Sequence, residues 1–191
     1  MNKLLAFFKN KATYKNALIT FVALRIVVAI LYKFDQPLNL LTPGEGKLDF
    51  HSNYDVSTVM RIYAAYDEEG RTLYAWDLMV DTFYPVLLSL SAILFVLLVA
   101  RHPLLQKTLI LPPLIFAIAD AIENVFFLFF IWQYPLLSAT IVSVANIFTR
   151  IKLFTFDITF VELYLFILMT IVVSVINKLK SRSSVAYSDY H

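Results

Sequence analysis

Asp120-x-x-Glu123-Asn124 lies inside 109–132, a run too apolar for water, and other charges are placed the same way. Arg25 interrupts 17–34 and Glu162 interrupts 156–176. A charge at the centre of a bilayer costs at least about 2.5–3.5 kcal/mol, so a chain that keeps several must pair them, hydrate them or use them. Carboxylates held in a low dielectric are suited to proton transfer, which makes Asp120 and Glu123 candidate general acids or bases. Arg150 and Lys152 are the candidates for holding a phosphate or carboxylate head group.

Counting about 1.5 Å per residue along each helix gives the depth of these groups. Asp81 falls at the outer edge of its span, with Tyr84 just below it. Asp120 sits slightly beyond mid-membrane, and Glu123 and Asn124 lie in the outer half. Asn146, Arg150 and Asp157 share a helical face by their spacing, while Lys152 and Glu162 lie on other faces. Arg25 is near mid-membrane. Opposite charges from all the spans are therefore expected to collect in the outer half and open outward. Such a cluster is either a structural interlock between helices, each contact being worth only about 0.6 kcal/mol, or a site. The site is preferred, because an interlock needs fewer charges than are present.

Hydropathy defines the elements that position these residues. The chain has 191 residues, 60% hydrophobic and 16% charged, whereas soluble domains run roughly 45–50% apolar and 25% charged. A helical crossing needs about 20 apolar residues. That rule gives four, near 16–34, 78–100, 108–132 and 155–177. The predicted fold class is an all-α membrane protein, a four-transmembrane-helix bundle with a small helical extracytoplasmic cap formed by 35–77 and 134–152. Lys3, Lys9, Lys11 and Lys15 precede the first span, Arg101 and Lys107 join the second to the third, and Lys178, Lys180 and Arg182 follow the fourth. Positive residues gather on the cytoplasmic side, so both termini are expected there, with the acidic 35–77 connection outside. The first span carries Arg25 and no cleavage pattern, and is read as a retained helix rather than a signal peptide. A composition rich in Phe, Ile, Lys and Asn, without a glycosylation acceptor, leans toward a bacterial inner membrane.

Residues 1–15 read as a basic interfacial segment. In the cap, 55–68 has the spacing of an amphipathic helix, with Val56, Val59, Met60, Tyr63 and Tyr66 as its apolar stripe. Asp55 or Ser57 can begin it and Gly70 can end it. The stretch 136–178 exceeds a single crossing; a helix near 137–152 that continues or bends into the fourth span is expected, packing on 55–68. Tyr74, Trp76, Tyr84, Trp132 and Tyr134 would form an aromatic belt. The polar tail 181–191 is expected to be irregular.

Several chemistries are disfavoured. The chain has no cysteine, which excludes thiol chemistry. His51, His102 and His191 are scattered, so a zinc site is not expected. A carboxylate metal site from Asp81, Asp120 and Glu123 would compete with basic neighbours. Nucleophile elbows and phosphate loops are absent, and no metal or cofactor is expected. The net charge of +2 gives no reason to expect nucleic acid.

The ordered motifs Glu69-Gly70-Arg71-x-x-Tyr74, Asp81-x-x-Tyr84-Pro85, Asp120-x-x-Glu123-Asn124, Tyr134-Pro135 and Asn146-x-x-Thr149-x-x-Lys152 resemble a family of small four-span bacterial membrane proteins of unassigned function. The resemblance covers roughly 50–178 and implies architecture and site residues, Arg71 among them, but no reaction. The expected role is binding of a lipid head group, a small anion or a partner subunit at Arg71, Asp81, Tyr84, Asp120, Glu123, Asn124, Asn146, Arg150 and Lys152. The rivals are an enzyme acting on a lipid or isoprenoid-linked substrate, a proton-coupled transporter, which would need a homo-oligomer, and a structural accessory subunit. Membrane lipids are the expected partners.

Overall fold

The computed structural model describes residues 2–188, and every regular element among them is helical. A short amphipathic helix, α1 (Asn2–Lys11), leads into α2 (Tyr14–Leu41). A loop carrying one 3-10 turn (Leu48–Phe50) connects to α3 (Val56–Asp81), which runs almost directly into α4 (Phe83–Val99). Then come the short α5 (Pro103–Leu109), α6 (Leu111–Gln133) and α7 (Ala139–Ser188). Tyr14–Leu41, Val56–Val99, Pro103–Gln133 and Ala139–Ile176 are each long and apolar enough to cross a membrane. The chain is thus the four-span helical bundle its hydropathy predicts.

Packing follows from which helix faces are apolar. α2 packs on α3 and α4, and α7 packs on α4 and α6. Two apolar clusters result. One joins Leu24, Ala92, Val96, Ile110, Phe116 and Leu163. The other lies toward the loop that follows α2, here called the capped end, and joins Leu38, Leu48, Ile62, Tyr63, Phe127, Phe130 and Val142.

The break in α3 sets the geometry of the capped end. Asp55 begins the helix as expected: its carboxylate accepts the Thr58 N–H at 2.8 Å. The apolar stripe buries Val59, Ile62, Tyr63 and Tyr66. Gly70 does not end the helix, contrary to the sequence expectation. The backbone breaks at Asp67, where φ is 51°, a conformation costly for any residue with a Cβ. Asp67 then caps the second half, accepting the Gly70 N–H at 2.9 Å. The Tyr63 carbonyl, which a regular helix would pair with the Asp67 N–H, is taken instead by Arg71 Nη1 at 2.8 Å. Gly70 has a different use: a Cβ there would lie 2.8 Å from Leu41 Cδ1 and 3.0 Å from Tyr66 Cβ, so glycine leaves room for these two side chains.

Other expectations shift with this geometry. α3 as a whole packs chiefly on α2 and α6 rather than on 137–152, although the Tyr54 hydroxyl reaches Thr149 Oγ1 at 2.9 Å. α7 takes the first of the two expected forms, continuing from 139–152 into the fourth span without a break. It is continuous for 50 residues, about 75 Å at the α-helical rise, and contains no glycine or proline to interrupt it. It runs through Ser188 in place of the expected irregular tail; 189–191 lie outside the described residues. Trp76 and Trp132 are exposed as belt residues should be, but Tyr74 is fully buried.

The Asp55 cap has a pH signature. Hydrogen bonds from the Thr58 N–H, the Ser57 hydroxyl and the Thr58 hydroxyl hold its carboxyl down at about 2. A depressed folded-state pKa adds stability above the unfolded value near 3.9, and that stability is lost as pH falls through the folded value. Asp55→Asn should therefore unfold more easily than wild type at neutral pH, with the gap closing between about pH 4 and pH 2. A gap that persists unchanged at the acid end of a detergent-solution melting series would contradict this assignment.

Candidate functional site

A layer of charge lies between the two apolar clusters. Asp77 and Asp81 stand one turn apart on α3, and Asp120, Glu123 and Asn124 share a face of α6. Asp35 comes from α2 and Lys152 from α7, while the loop after α2 supplies Lys47 and Asp49. All of these are buried except Asp35 and Asp81, which are half-buried.

Two ammonium groups organise the layer. Lys47 Nζ lies 2.7 Å from Asp35 Oδ1, 2.8 Å from Asp77 Oδ2 and 3.8 Å from Asp49 Oδ2. Lys152 Nζ donates to Glu123 Oε2 and lies 3.7 Å from Asp120 Oδ1. Asn124 Nδ2 ties the two sides together, donating to Asp120 Oδ2 at 3.1 Å and reaching Asp81 Oδ2 at 3.5 Å. The Tyr74 hydroxyl donates to Asp49 Oδ1 at 3.3 Å. Asp81 makes no ion pair among the described residues. Burial of Lys47 opposes its charge, but Asp49 and Asp77, together with the hydrogen bonds to Asp35 and Asp77, outweigh that penalty. They hold its ammonium well above the usual lysine range. That contribution to stability is complete below the ordinary lysine value and is lost only as pH rises through the raised one, so the cluster is intact at neutral pH.

A cavity of about 260 Å³ borders this layer. α2 lines it with Val28, Leu31, Tyr32 and Asp35, and α7 with Lys152, Leu153 and Phe156. Asp81, Tyr84, Phe116 and Asp120 close the back, and Lys47, Asp49 and Phe50 come from the loop. Tyr32 of α2 and Phe50 of the loop are 62% and 67% exposed, so the mouth opens beside them. Charged and apolar side chains share the wall: Leu31 and Phe116 are buried in it beside Asp120 and Lys152, and Asp35 is half-exposed.

The residues picked from sequence separate into three groups. Asp81, Tyr84, Asp120 and Lys152 line the cavity, and Glu123 and Asn124 hold those residues from behind. Arg150 and Asp157 are exposed on α7, and Arg25 is exposed on α2. The helical face expected to carry Arg150 inward therefore points away, and Lys152 points in. Asn146 is buried with its Nδ2 unpaired, and Glu162 is buried on α7, but neither lines the cavity. Arg71 serves the α3 break and lies over the Tyr134 ring at 4.6 Å. Sequence reasoning missed Asp35, Lys47, Asp49 and Asp77. The available signal was Lys47, the one Lys or Arg between Lys33 and Arg61 in an otherwise acidic connection.

Fold and site together define a four-span membrane protein with a charged cavity among its helices. No protein-family model, no curated protein and no solved structure matches the chain. Among the described residues, no three His, Cys, Asp or Glu side chains are grouped to hold a metal ion.

Removing one partner of a buried pair leaves an uncompensated charge, at a cost of about 3–5 kcal/mol. Lys152→Met should lose stability of that order in detergent unfolding, and adding Glu123→Gln should restore part of it. Arg150→Gln, on the exposed face, should stay within about 0.5 kcal/mol of wild type. An Arg150 variant as damaging as the Lys152 variant would contradict the assigned orientation of α7.

Proposed function

We propose that this is a membrane-embedded binding protein that takes an amphiphile from the bilayer. Its polar head enters the cavity beside the ionic layer, and its chain leaves by the mouth at Tyr32 and Phe50. The observation that carries this reading is the cavity itself: an apolar wall of aromatic and aliphatic side chains meets carboxylates and a lysine within a membrane-spanning bundle, and Tyr32 and Phe50 are exposed at its mouth. The exposed aromatic rings of Tyr32 and Phe50 suit an apolar chain beside a polar head. The volume also falls below the roughly 300–1,000 Å³ of sites that enclose a whole drug-sized molecule, which suits a head group better than an entire lipid.

Wild-type protein purified in a mild detergent should retain a tightly held amphiphile, visible by native mass spectrometry. Leu31→Trp fills the cavity wall and should release it while keeping a cooperative melt. Empty wild-type protein, or occupancy unchanged in a folded Leu31→Trp variant, would rule the reading out.

The lysines before α2, between α4 and α6 and after Ile176 support an orientation with both termini cytoplasmic. This fits the inner membrane of a bacterium, with the cavity in the outer half of the bilayer. The absence of native cysteine makes a direct test simple. In intact cells, an impermeant maleimide should label Glu68→Cys and spare His102→Cys; the reverse pattern would invert the topology.

A further inference from the structure

We infer that the head group taken by this cavity is a monovalent cation, an ammonium. The inference rests on the amphiphile-binding reading above and identifies the chemical class that the site recognises. The first observation is the charge balance. The layer holds six carboxylates and two ammonium groups, and five of the six already surround the ammoniums: Asp35, Asp77 and Asp49 at Lys47, Glu123 and Asp120 at Lys152. Neither lysine is free to hold an anion, and Arg150 is exposed on another face of α7. An anionic head would add charge of the sign already in excess, in a setting where unpaired charge is costly. A cation would find Asp81 on the cavity wall without an ion pair, and Asp120 with its nearest ammonium at 3.7 Å.

The second observation is independent of charge counting. Tyr84, Phe116 and Phe156 line the same cavity and pack on one another, with ring centroids 5.6–6.5 Å apart. Aromatic rings beside carboxylates suit a weakly hydrated cation, whose attraction to ring faces grows once water is excluded. For an anion the same rings offer no donor apart from the Tyr84 hydroxyl.

The test uses three amphiphiles with one twelve-carbon chain and different heads: dodecyltrimethylammonium, dodecyl phosphate and dodecanol. Each is titrated into the full-length protein in maltoside micelles, and affinity is read from the shift in melting temperature. The ammonium should bind at least roughly tenfold more tightly than either other head, a difference of about 1.4 kcal/mol. Asp81→Asn, which keeps size and the Asn124 contact, should remove most of that preference. Phosphate binding as tightly as ammonium in wild type would overturn the inference and leave the amphiphile site standing. Binding equal for all three heads would do the same. If none of the three binds, and wild-type protein retains no native amphiphile, the amphiphile reading fails with it. The wild-type comparison alone decides the question should Asp81→Asn not fold.

Discussion

The structure depends on two buried lysines that hold together carboxylates from the crossing helices. Asp35 of α2 and Asp77 of α3 meet at Lys47, while Glu123 and Asp120 of α6 meet at Lys152 of α7. In hydrocarbon, packing alone distinguishes poorly between one apolar helix face and another. Shared ammonium groups discriminate strongly, because any rotation that separates a lysine from its carboxylates strands charge in a low dielectric. The two apolar clusters fill the space on either side of this layer; the layer decides which faces they present.

The cavity follows from the same arrangement. α4 packs on both α2 and α7, and the cavity lies where Asp35 ties α2 to the loop and Lys152 ties α7 to α6. The loop residues Lys47, Asp49 and Phe50 complete its lining. The break at Asp67 matters here too. It divides α3 into two halves that each turn a buried face inward, Tyr63 and Tyr66 before it and Asp77 after it. Arg71 repairs the break by satisfying the carbonyl it frees, a role for an arginine that sequence alone marks only as a charge.

Much of the fold was legible because hydrophobic length is a strong signal. The four crossings, the Asp55 cap and the apolar stripe of α3 were each visible in residue spacing. So were Asp120, Glu123 and Asn124, since lipid cannot solvate three polar side chains on one face of an apolar helix and that face must turn inward. Rotation of a long, uniformly apolar helix was not legible: on α7, Arg150 and Lys152 are two residues apart and point opposite ways, and only the partner Glu123 decides between them. Nor was the break in α3. Gly70 looks like a stop signal, yet its small size serves packing against Leu41, while Asp67 takes a backbone conformation that composition does not announce. Asp35, Asp49 and Asp77 were hidden for a different reason. They belong to a connection that reads as ordinary acidic surface until Lys47 folds in among them.

Lys47 is carried by neither a crossing helix nor its immediate flank. It sits in the loop of 42–55, shaped by Gly44 and Gly46 with φ of 83° and 74° and pinned by Thr42 Oγ1 donating to the Leu38 and Gly46 carbonyls. Loops between helices ordinarily absorb insertions and sequence drift at little cost. This one supplies the counter-charge for acids fixed in two crossing helices, so its length and path are bound to the membrane interior. A graft, tag or one-residue insertion there would act at the centre of the bundle, and the 12–13 turn before α2 or the link at 101–102 would be the safer place to alter the chain.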